Sequence, residues 1–445
     1  VTDGYHTNIG PFQSAEESDS YGVPIGPYTD VVIVRNIVPA IAGKGRMLVT
    51  ADVVAEDIVL ETEVDPTLTV LPYRPERPLT EHLIFKTEIH RTLGGQETRM
   101  PLRKCPRIAV EPKIADGRQF MESYLPALAM DEMVFPYWHE PAYLTAAASA
   151  GQSSVMVGTT AVSQFKAGYF ALLSHISGKY DICRVSSVAA DALEFDGLLL
   201  NDYPIGSEVL PAYKCWADRI SVTKRLRYAM YDLKLEMSPV DNDLGVTPYA
   251  NGELSMVDVN YIDLLRESHS RPHYRLDSGY GLMFRTVLID RGDRGSLLGF
   301  WTHSRGELWA LRQLLYRLRG RAISFDLATF AEELTPNAAL VGGSTSLNVA
   351  YCGYTDFVRS RRNSIRIVLR DDTVLSRTVV DSQVISDATE RLTLNAAWPE
   401  TIQPESVARI EYLDRVRLDA DDIVIQHQNA LGWASCQIPV ITVEE

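Results

Sequence analysis

The chain has 445 residues, 46% hydrophobic and 23% charged, with a formal net charge of −15 at pH 7. That length supports several domains with cores of their own, and the acidic balance excludes a protein that coats DNA generally, because phosphate binding needs a basic footprint. No uncharged apolar run approaches the roughly 18 residues of a membrane-spanning helix and no basic, apolar leader opens the sequence, so neither a spanning nor a secreted protein is expected. The five cysteines (Cys105, Cys183, Cys215, Cys352, Cys436) are scattered and form no CxxC pair, which argues for buried thiols over a disulfide framework or a structural zinc site.

Residues 1–80 carry short β-branched runs, Asp30-Val31-Val32-Ile33-Val34 and Met47-Leu48-Val49-Thr50, and are expected to form an N-terminal β-rich arm or small domain. The cluster Pro72-Tyr73-Arg74-Pro75-Glu76-Arg77-Pro78 reads as a linker, since proline fixes φ at three positions. A first unit over 81–238 then opens with a strand at Glu81–His90. The Gly94-Gly95 pair turns the chain and a second strand returns toward Arg107, a hairpin with charges on its outer face. Asp116 and Gln119 are spaced as a capping box before Phe120, Tyr124 and Leu128, so a helix follows, shortened or kinked at Pro126. It leads through Phe135-Pro136-Tyr137-Trp138 into a β-module.

That module opens with Gly151-Gln152-Ser153-Ser154-Val155-Met156-Val157, a stretch that returns as Gly343-Ser344-Thr345-Ser346-Leu347-Asn348-Val349. The same offset carries Phe165 onto Phe357 and Trp138 onto Phe330. After small insertions Ala192–Phe195 matches Arg391–Leu394, and Ile205–Val209 matches Ile402–Val407. A fixed-offset repeat predicts two related structural units. The second unit, over 265–445 after a turn-rich linker at 239–264, has the cleaner helix. Ser304 and Glu307 make a capping box, Leu308, Leu311, Leu315 and Leu318 form one stripe, and Gly320 stops it. The predicted fold class is mainly β with a few short helices (α+β): two tandem related units, each a helix plus a small β-barrel or β-sandwich module, with the N-terminal β-rich arm.

Sites of chemistry are sparse. Asp241, Asp243 and Glu253 invite a calcium loop, but Gly245 stands one position early and where a ligand belongs. His269 and His273 have the i, i+4 spacing of a helical zinc pair, yet Pro272 disfavours helix between them. Arg291-Gly292-Asp293 is a turn-like run. His139-Glu140 with the other carboxylates could furnish a glycosidase pair, but nothing in the sequence sets two carboxylates at the required separation. No G-x-S-x-G elbow, P-loop or Rossmann fingerprint occurs. No catalytic residue, cofactor or metal is therefore assigned. The basic run Arg359, Arg361, Arg362, Arg366 has no strong counterpart in the first module and is expected to face a distinct partner.

The run from Thr87 through Gly95-Gln96-Glu97-Thr98-Arg99-Met100-Pro101-Leu102-Arg103-Lys104-Cys105-Pro106-Arg107 resembles the "G-E-x-R-x-x-L-R-x-x-P-R" strand pair of distal tail and tail-tip (baseplate) proteins of long-tailed bacteriophages and gene transfer agents. Phe135–Trp138 resembles their "P-x-W" segment. Leu318-Arg319-Gly320-Arg321 through Phe330 resembles their "R-G-R-x-x-x-F-x-L-P-x-F", with Asp326 and Ala328 departing from the usual aromatic and proline. The likeness runs from Glu81 to the C-terminus. It implies a structural, non-enzymatic virion protein, assembled in the host cytoplasm, forming a ring that joins the tail tube to the hub and adsorption fibres. The alternatives are a baseplate hub or carbohydrate-binding adsorption protein, and then a cell-wall glycoside hydrolase. Its expected partners are its own copies (six, or three with pseudo-sixfold symmetry), the tail tube protein, hub and fibre proteins, and DNA only in passage through the lumen. The residues expected to carry structure and interfaces are Glu97, Arg99, Arg103, Arg107, Trp138, Ser304, Glu307, Trp309, Arg319, Arg321, Phe330, Arg359, Arg361 and Arg362.

Overall fold

The computed structural model describes residues 21–25, 30–35, 52–55, 69–71, 73–92, 95–116, 132–158, 160, 162–224, 229–237, 243–252, 267–271, 273–277, 279–281, 283–287, 292–358 and 362–443. The chain is mainly β and divides into two compact units, Val1–Asp65 and Pro66–Glu445. In the first, β1 (Tyr21–Ile25), β2 (Asp30–Arg35) and β3 (Asp52–Ala55) form an antiparallel meander, with Val23 opposite Val32 and Val32 opposite Ala55. The run predicted as a strand at Asp30–Val34 lies in β2. Met47–Thr50 lies outside the described residues.

The second unit begins earlier than the expected boundary at residue 80. After β4 (Thr69–Val70), the proline-rich stretch predicted as a linker runs directly into β5 (Glu76–Ile84). Leu79 and Leu83 alternate with more exposed residues and are buried, which draws this segment into the sheet. The prolines are accommodated at the strand's start: register against β8 (Arg107–Asp116) shifts between Glu76 and Thr80, around Pro78, which has no N–H to donate. Between them, β6 (Thr87–Arg91) and β7 (Glu97–Pro101) pair as the expected hairpin, turning through Gly95 at φ 95°. The helix expected after Asp116 lies outside the described residues.

The first half continues with β9 (Met133–Pro136), β10 (Ala142–Tyr143), β11 (Ser154–Met156), β12 (Phe170–Ser174), β13 (Tyr180–Val188), β14 (Ala192–Phe195), β15 (Glu208–Lys224) and β16 (Ala229–Met237). Its antiparallel pairings run β8, β16, β15, then from β15 to β9 and β12, and on through β13 and β14 to β11. The second half contains β17 (Glu267–Ser270), β18 (His273–Leu276), β19 (Phe284–Val287), β20 (Asp293–His303), helix α1 (Arg305–Leu318), β21 (Ser324–Ala328), β22 (Ser346–Ala350), β23 (Ser364–Leu369), β24 (Val374–Ser386), β25 (Thr389–Leu394), β26 (Val407–Leu418), β27 (Asp422–His427) and β28 (Trp433–Thr442). Here the pairings run β20, β28, β26, then from β26 to β21 and β23, and on through β24 and β25 to β22. The register also recurs: Val155 faces Leu193 in the first half and Leu347 faces Leu392 in the second. The bulges after Val185 and Val379 fall opposite Phe195 and Leu394. Gly151 and Gly343 both take positive φ, 87° and 79°, at the turn into β11 and β22.

The halves do not pack as the separate units expected over 81–238 and 265–445. Strands β5 and β27 pair across them, so one sheet runs β15-β16-β8-β5-β27-β28-β20. One main core draws Leu83, Phe135 and Leu235 from the first half and Leu315, Phe325 and Ile438 from the second. Burying the inner face of a shared sheet against a common helix removes more apolar surface from water than two half-sized cores would. Each module keeps a smaller core of its own, around Val157, Phe195 and Tyr203 in one and Leu347, Ile367 and Trp398 in the other.

Helix α1 has the predicted cap and face. Ser304 Oγ accepts from Glu307 N, Glu307 Oε2 accepts from His303 N, and Leu308, Leu311, Leu315 and Leu318 are buried. Its end differs by one residue from the expectation: Arg319, at φ 52°, is the left-handed cap, and its N–H bonds the Leu315 carbonyl. Gly320 follows at φ 62°, where a Cβ would lie 2.8 Å from Phe85 Cβ, so the glycine admits the end of β5.

Candidate functional site

Along β5 the inward residues are Leu79, Glu81 and Leu83, and along β27 they are Ile423, Ile425 and His427. Glu81 lies opposite Ile425 and His427 opposite Leu79, so Glu81 and His427 are diagonal neighbours on the buried face of the strand pair that joins the halves. Helix α1 presents Arg312 to the same point from within its leucine stripe. The turn after β9, closed by Glu140 N donating to the Tyr137 carbonyl, adds His139 and Glu140. Four segments thus place five ionisable side chains in one buried cluster.

Arg312 donates to both oxygens of Glu81, at 2.7 and 2.8 Å, and its Nη2 also reaches Glu140 Oε1 at 3.1 Å. His427 Nε2 lies 2.9 Å from Glu81 Oε2, and Gln164 Nε2 donates to Glu140 Oε1 at 3.1 Å. His139 stacks on His427 with ring centres 4.0 Å apart, but its Nε2 is 3.9 Å from Glu81 and 3.8 Å from Glu140, beyond hydrogen-bond range. Both His139 nitrogens are buried without a partner. Tyr137 and Tyr213 close one side, and the Tyr213 hydroxyl donates to the Gln164 carbonyl.

The electrostatics follow from this packing. Burial pushes the Glu81 carboxyl upward, but the Arg312 charge and the hydrogen bonds from His427 and Arg312 more than reverse it, holding the group well below 4.5. Arg312 has burial against it and the two carboxylates for it, and stays more firmly protonated than a free arginine. Burial, and then the neighbouring His427, hold His139 well below its ordinary 6.5, so it is neutral at physiological pH.

Glu81, His139 and His427 offer donor atoms all within 4.8 Å of one another, the spacing of a metal-binding trio. The residues do not fit a cation. Both oxygens of Glu81 are engaged by the Arg312 guanidinium, whose fixed charge would face the ion at contact distance in a medium of low dielectric. Nor do the two carboxylates present a hydrolytic pair to solvent: the Glu81 side chain is 0% exposed and that of Glu140 7%. What the arrangement does is tie β5, β27, α1 and the turn after β9 together by charge-assisted bonds at the seam.

The expected site residues fall elsewhere. Glu97 is not an outer-face charge of the hairpin: it is buried in a two-bond pair with Arg417 of β26, at 2.8 and 3.2 Å, because the hairpin folds back onto the second half. Arg99 is half-buried, Arg103 donates to the Ile84 carbonyl at 2.9 Å, and Arg107 is exposed at the start of β8. Trp138 is buried, with the Arg74 guanidinium 5.3 Å from its ring centre and itself bridged to Glu208. Phe330, half-buried against the main core, also sits two residues beyond its strand. The equivalence expected between Phe165 and Phe357 fails: Phe165 is in the first module's core, whereas Phe357 is 75% exposed and Tyr354 fills the second. Trp309 is half-buried on α1, and Arg321 is held by Asp419 and Asp421.

Arg359 and Arg361 lie outside the described residues. Arg362 is not a solvated, partner-facing charge. It bridges Asp414 and Glu333 and stacks over Tyr412, while Arg366 pairs with Glu411. Asp243 pairs with Lys104 and takes the Gly245 N–H, with Asp241 and Glu253 outside the described residues. His269 and His273 are exposed on two different strands. Sequence reasoning missed Glu81, Arg312 and His427 as a group, although each stands at a core-facing position of an otherwise apolar pattern. Compared with known protein families and with curated proteins, the chain matches none.

Proposed function

We propose that the chain is an architectural subunit of a bacteriophage tail tip or baseplate, non-enzymatic, forming a closed ring between tail tube and hub. In this reading the two halves of Pro66–Glu445 are tandem related units, each a helix with a β-module, and 1–65 is an N-terminal β-rich arm. The observation that carries the reading is the recurrence of one pairing order, register and bulge position in β8–β16 and in β20–β28. Two pseudo-equivalent surfaces on one chain suit heterologous contacts that close by rotation, with six copies or three mimicking six. The sealed seam cluster supports an architectural role, because both Glu81 oxygens are engaged by Arg312 and His427 and the group is closed to solvent. The net charge of −15 favours a lumen that lets DNA pass without adhesion. Native mass spectrometry of the full chain tests the ring: a discrete closed oligomer is expected, and a monomer across the accessible concentration range would sink the reading.

A further inference from the structure

Strands β18 and β19 pair with each other alone among the described residues, and the side chains described on them are exposed on both faces. Register sorts those side chains. Tyr274 lies opposite Thr286 and Leu276 opposite Phe284, making one face aromatic and aliphatic, while Arg275 lies opposite Arg285 with His273 beside them, making the other cationic. Tyr274, Leu276 and Phe284 are 54%, 53% and 63% exposed.

Two features of this hairpin are unfavourable in an isolated chain. A two-stranded ribbon in water is marginally stable, and like charges directly opposite one another on one face repel. Within the described residues the one carboxylate close to this pair is Asp277, 3.6 Å from Arg275. A surface supplying apolar contact to one face and carboxylates to the other would remove both defects. Tyr, Phe, Met and Arg, the residue types gathered here with Met283 at the turn, are those enriched at the centres of protein interfaces.

We propose that this hairpin docks onto a second copy of the chain, at the end of the β24–β25 hairpin, where Val384, Ile385 and Asp387 are exposed at the turn and Asp381 is exposed further down β24, opposite Thr393. The chemistry is complementary: aromatic and cationic on the hairpin, aliphatic and acidic on the turn. Within 267–287 the described residues carry the cations Arg271, Arg275 and Arg285 against Glu267 and Asp277, whereas the whole chain is at −15, so a second copy is an anionic partner at matched concentration. Because the two patches lie on different parts of one chain, the contact is heterologous, the type that generates rings. This deepens the ring reading and rests on it. A nucleic acid is the less suited occupant: Tyr274 and Phe284 offer stacking surface, but Asp277 stands beside the arginines and the net charge opposes approach.

The test compares four full-length proteins by native mass spectrometry: wild type, Tyr274→Ser with Phe284→Ser, Arg275→Glu with Arg285→Glu, and the latter combined with Asp381→Arg and Asp387→Arg. Far-UV circular dichroism checks that the exposed substitutions leave the fold intact. The expected result is a wild-type ring, its loss to monomer in both hairpin variants, and its return in the charge-swapped protein, with crosslinks joining 273–287 of one copy to 381–387 of an isotopically labelled second copy. Rings that persist in both hairpin variants overturn the docking and leave the ring reading standing. A wild type without rings removes the ring reading itself, and this contact with it. A single-stranded oligonucleotide that binds the wild type and is released by Arg275→Glu with Arg285→Glu, rings remaining intact, assigns the face to nucleic acid and overturns the proposal.

Discussion

Replacing Arg312 by methionine keeps the length and most of the volume of the side chain and removes only the charge and its donors. The Arg312 side chain is 0% exposed, as is that of Glu81, and Glu140 is at 7%. The substitution therefore strands two carboxylates in a dry core, with His427 and Gln164 as the remaining donors. Breaking a buried pair this way costs about 3–5 kcal/mol. Three hydrogen bonds to charged groups disappear together, which places Arg312→Met toward the upper end of that range. Against a typical domain stability of about 5–15 kcal/mol this is a large fraction. Urea unfolding followed by tryptophan fluorescence should show a lower midpoint, and hydrogen exchange should rise first in peptides covering β5 and β27, the strands the cluster ties together. Glu81→Gln should cost a similar amount. The double variant should lose less than the sum, by about 0.5–3 kcal/mol, because each single change already breaks the same pair. An unfolding free energy for Arg312→Met within about 0.5 kcal/mol of wild type, the range of an ordinary surface substitution, would refute the account of the seam.

Acid should loosen the same seam in two stages. The folded chain holds His139 below 6.5, so as pH falls past that value the unfolded chain takes the proton first and stability is lost. Glu81, held below 4.5, adds a second loss as pH falls further. Urea midpoints measured against pH should accordingly decline less steeply for His139→Leu between those values, and identical slopes would contradict the assignment. Burial pushes Cys183 and Cys436 up to about 12 and Cys215 also upward; the Cys352 thiol is raised too, by partial burial and the neighbouring Glu390, but the residue is exposed. Iodoacetamide should therefore label Cys352 in the folded protein and those three only after unfolding, read by peptide mass spectrometry. Trp398 is buried in the second module, its Nε1 donating to the Ser346 carbonyl at 2.9 Å. Trp398→Ala should cost about 3–5 kcal/mol by calorimetry, and a change below 1 kcal/mol would deny it that place. Gly432 sits at φ +96°, where a Cβ would lie 2.4 Å from the Arg305 nitrogen. Gly432→Ala should cost more than about 1 kcal/mol and raise exchange in the first turn of α1.

How much of this was legible depended on whether the signal was local. The α1 cap and leucine stripe could be read because capping and helical spacing act within one turn or two, and the β6–β7 turn because Gly95 marks it. The alignment of Val155 with Leu347 and of Leu193 with Leu392 could be read from the repeated stretches, and those residues are indeed opposed within each module. The seam could not be assembled in advance. Glu81, Arg312 and His427 are far apart in sequence, and only the β5–β27 pairing together with the packing of α1 brings them into contact. Each nonetheless left a trace as a charged or imidazole side chain in an apolar register. Two charges misled for the opposite reason: Glu97 of the hairpin and Arg362 before β23 read as solvated surface, and their partners Arg417 and Asp414 come from β26, distant in the chain.

Symmetry-resolved electron microscopy of the assembled particle tests the central claim most directly. The account predicts a closed ring in which β8–β16 and β20–β28 occupy pseudo-equivalent positions, as six copies or as three with pseudo-sixfold symmetry. A single copy lying off the particle axis, or the chain found only as a monomer beside the assembly, would contradict it.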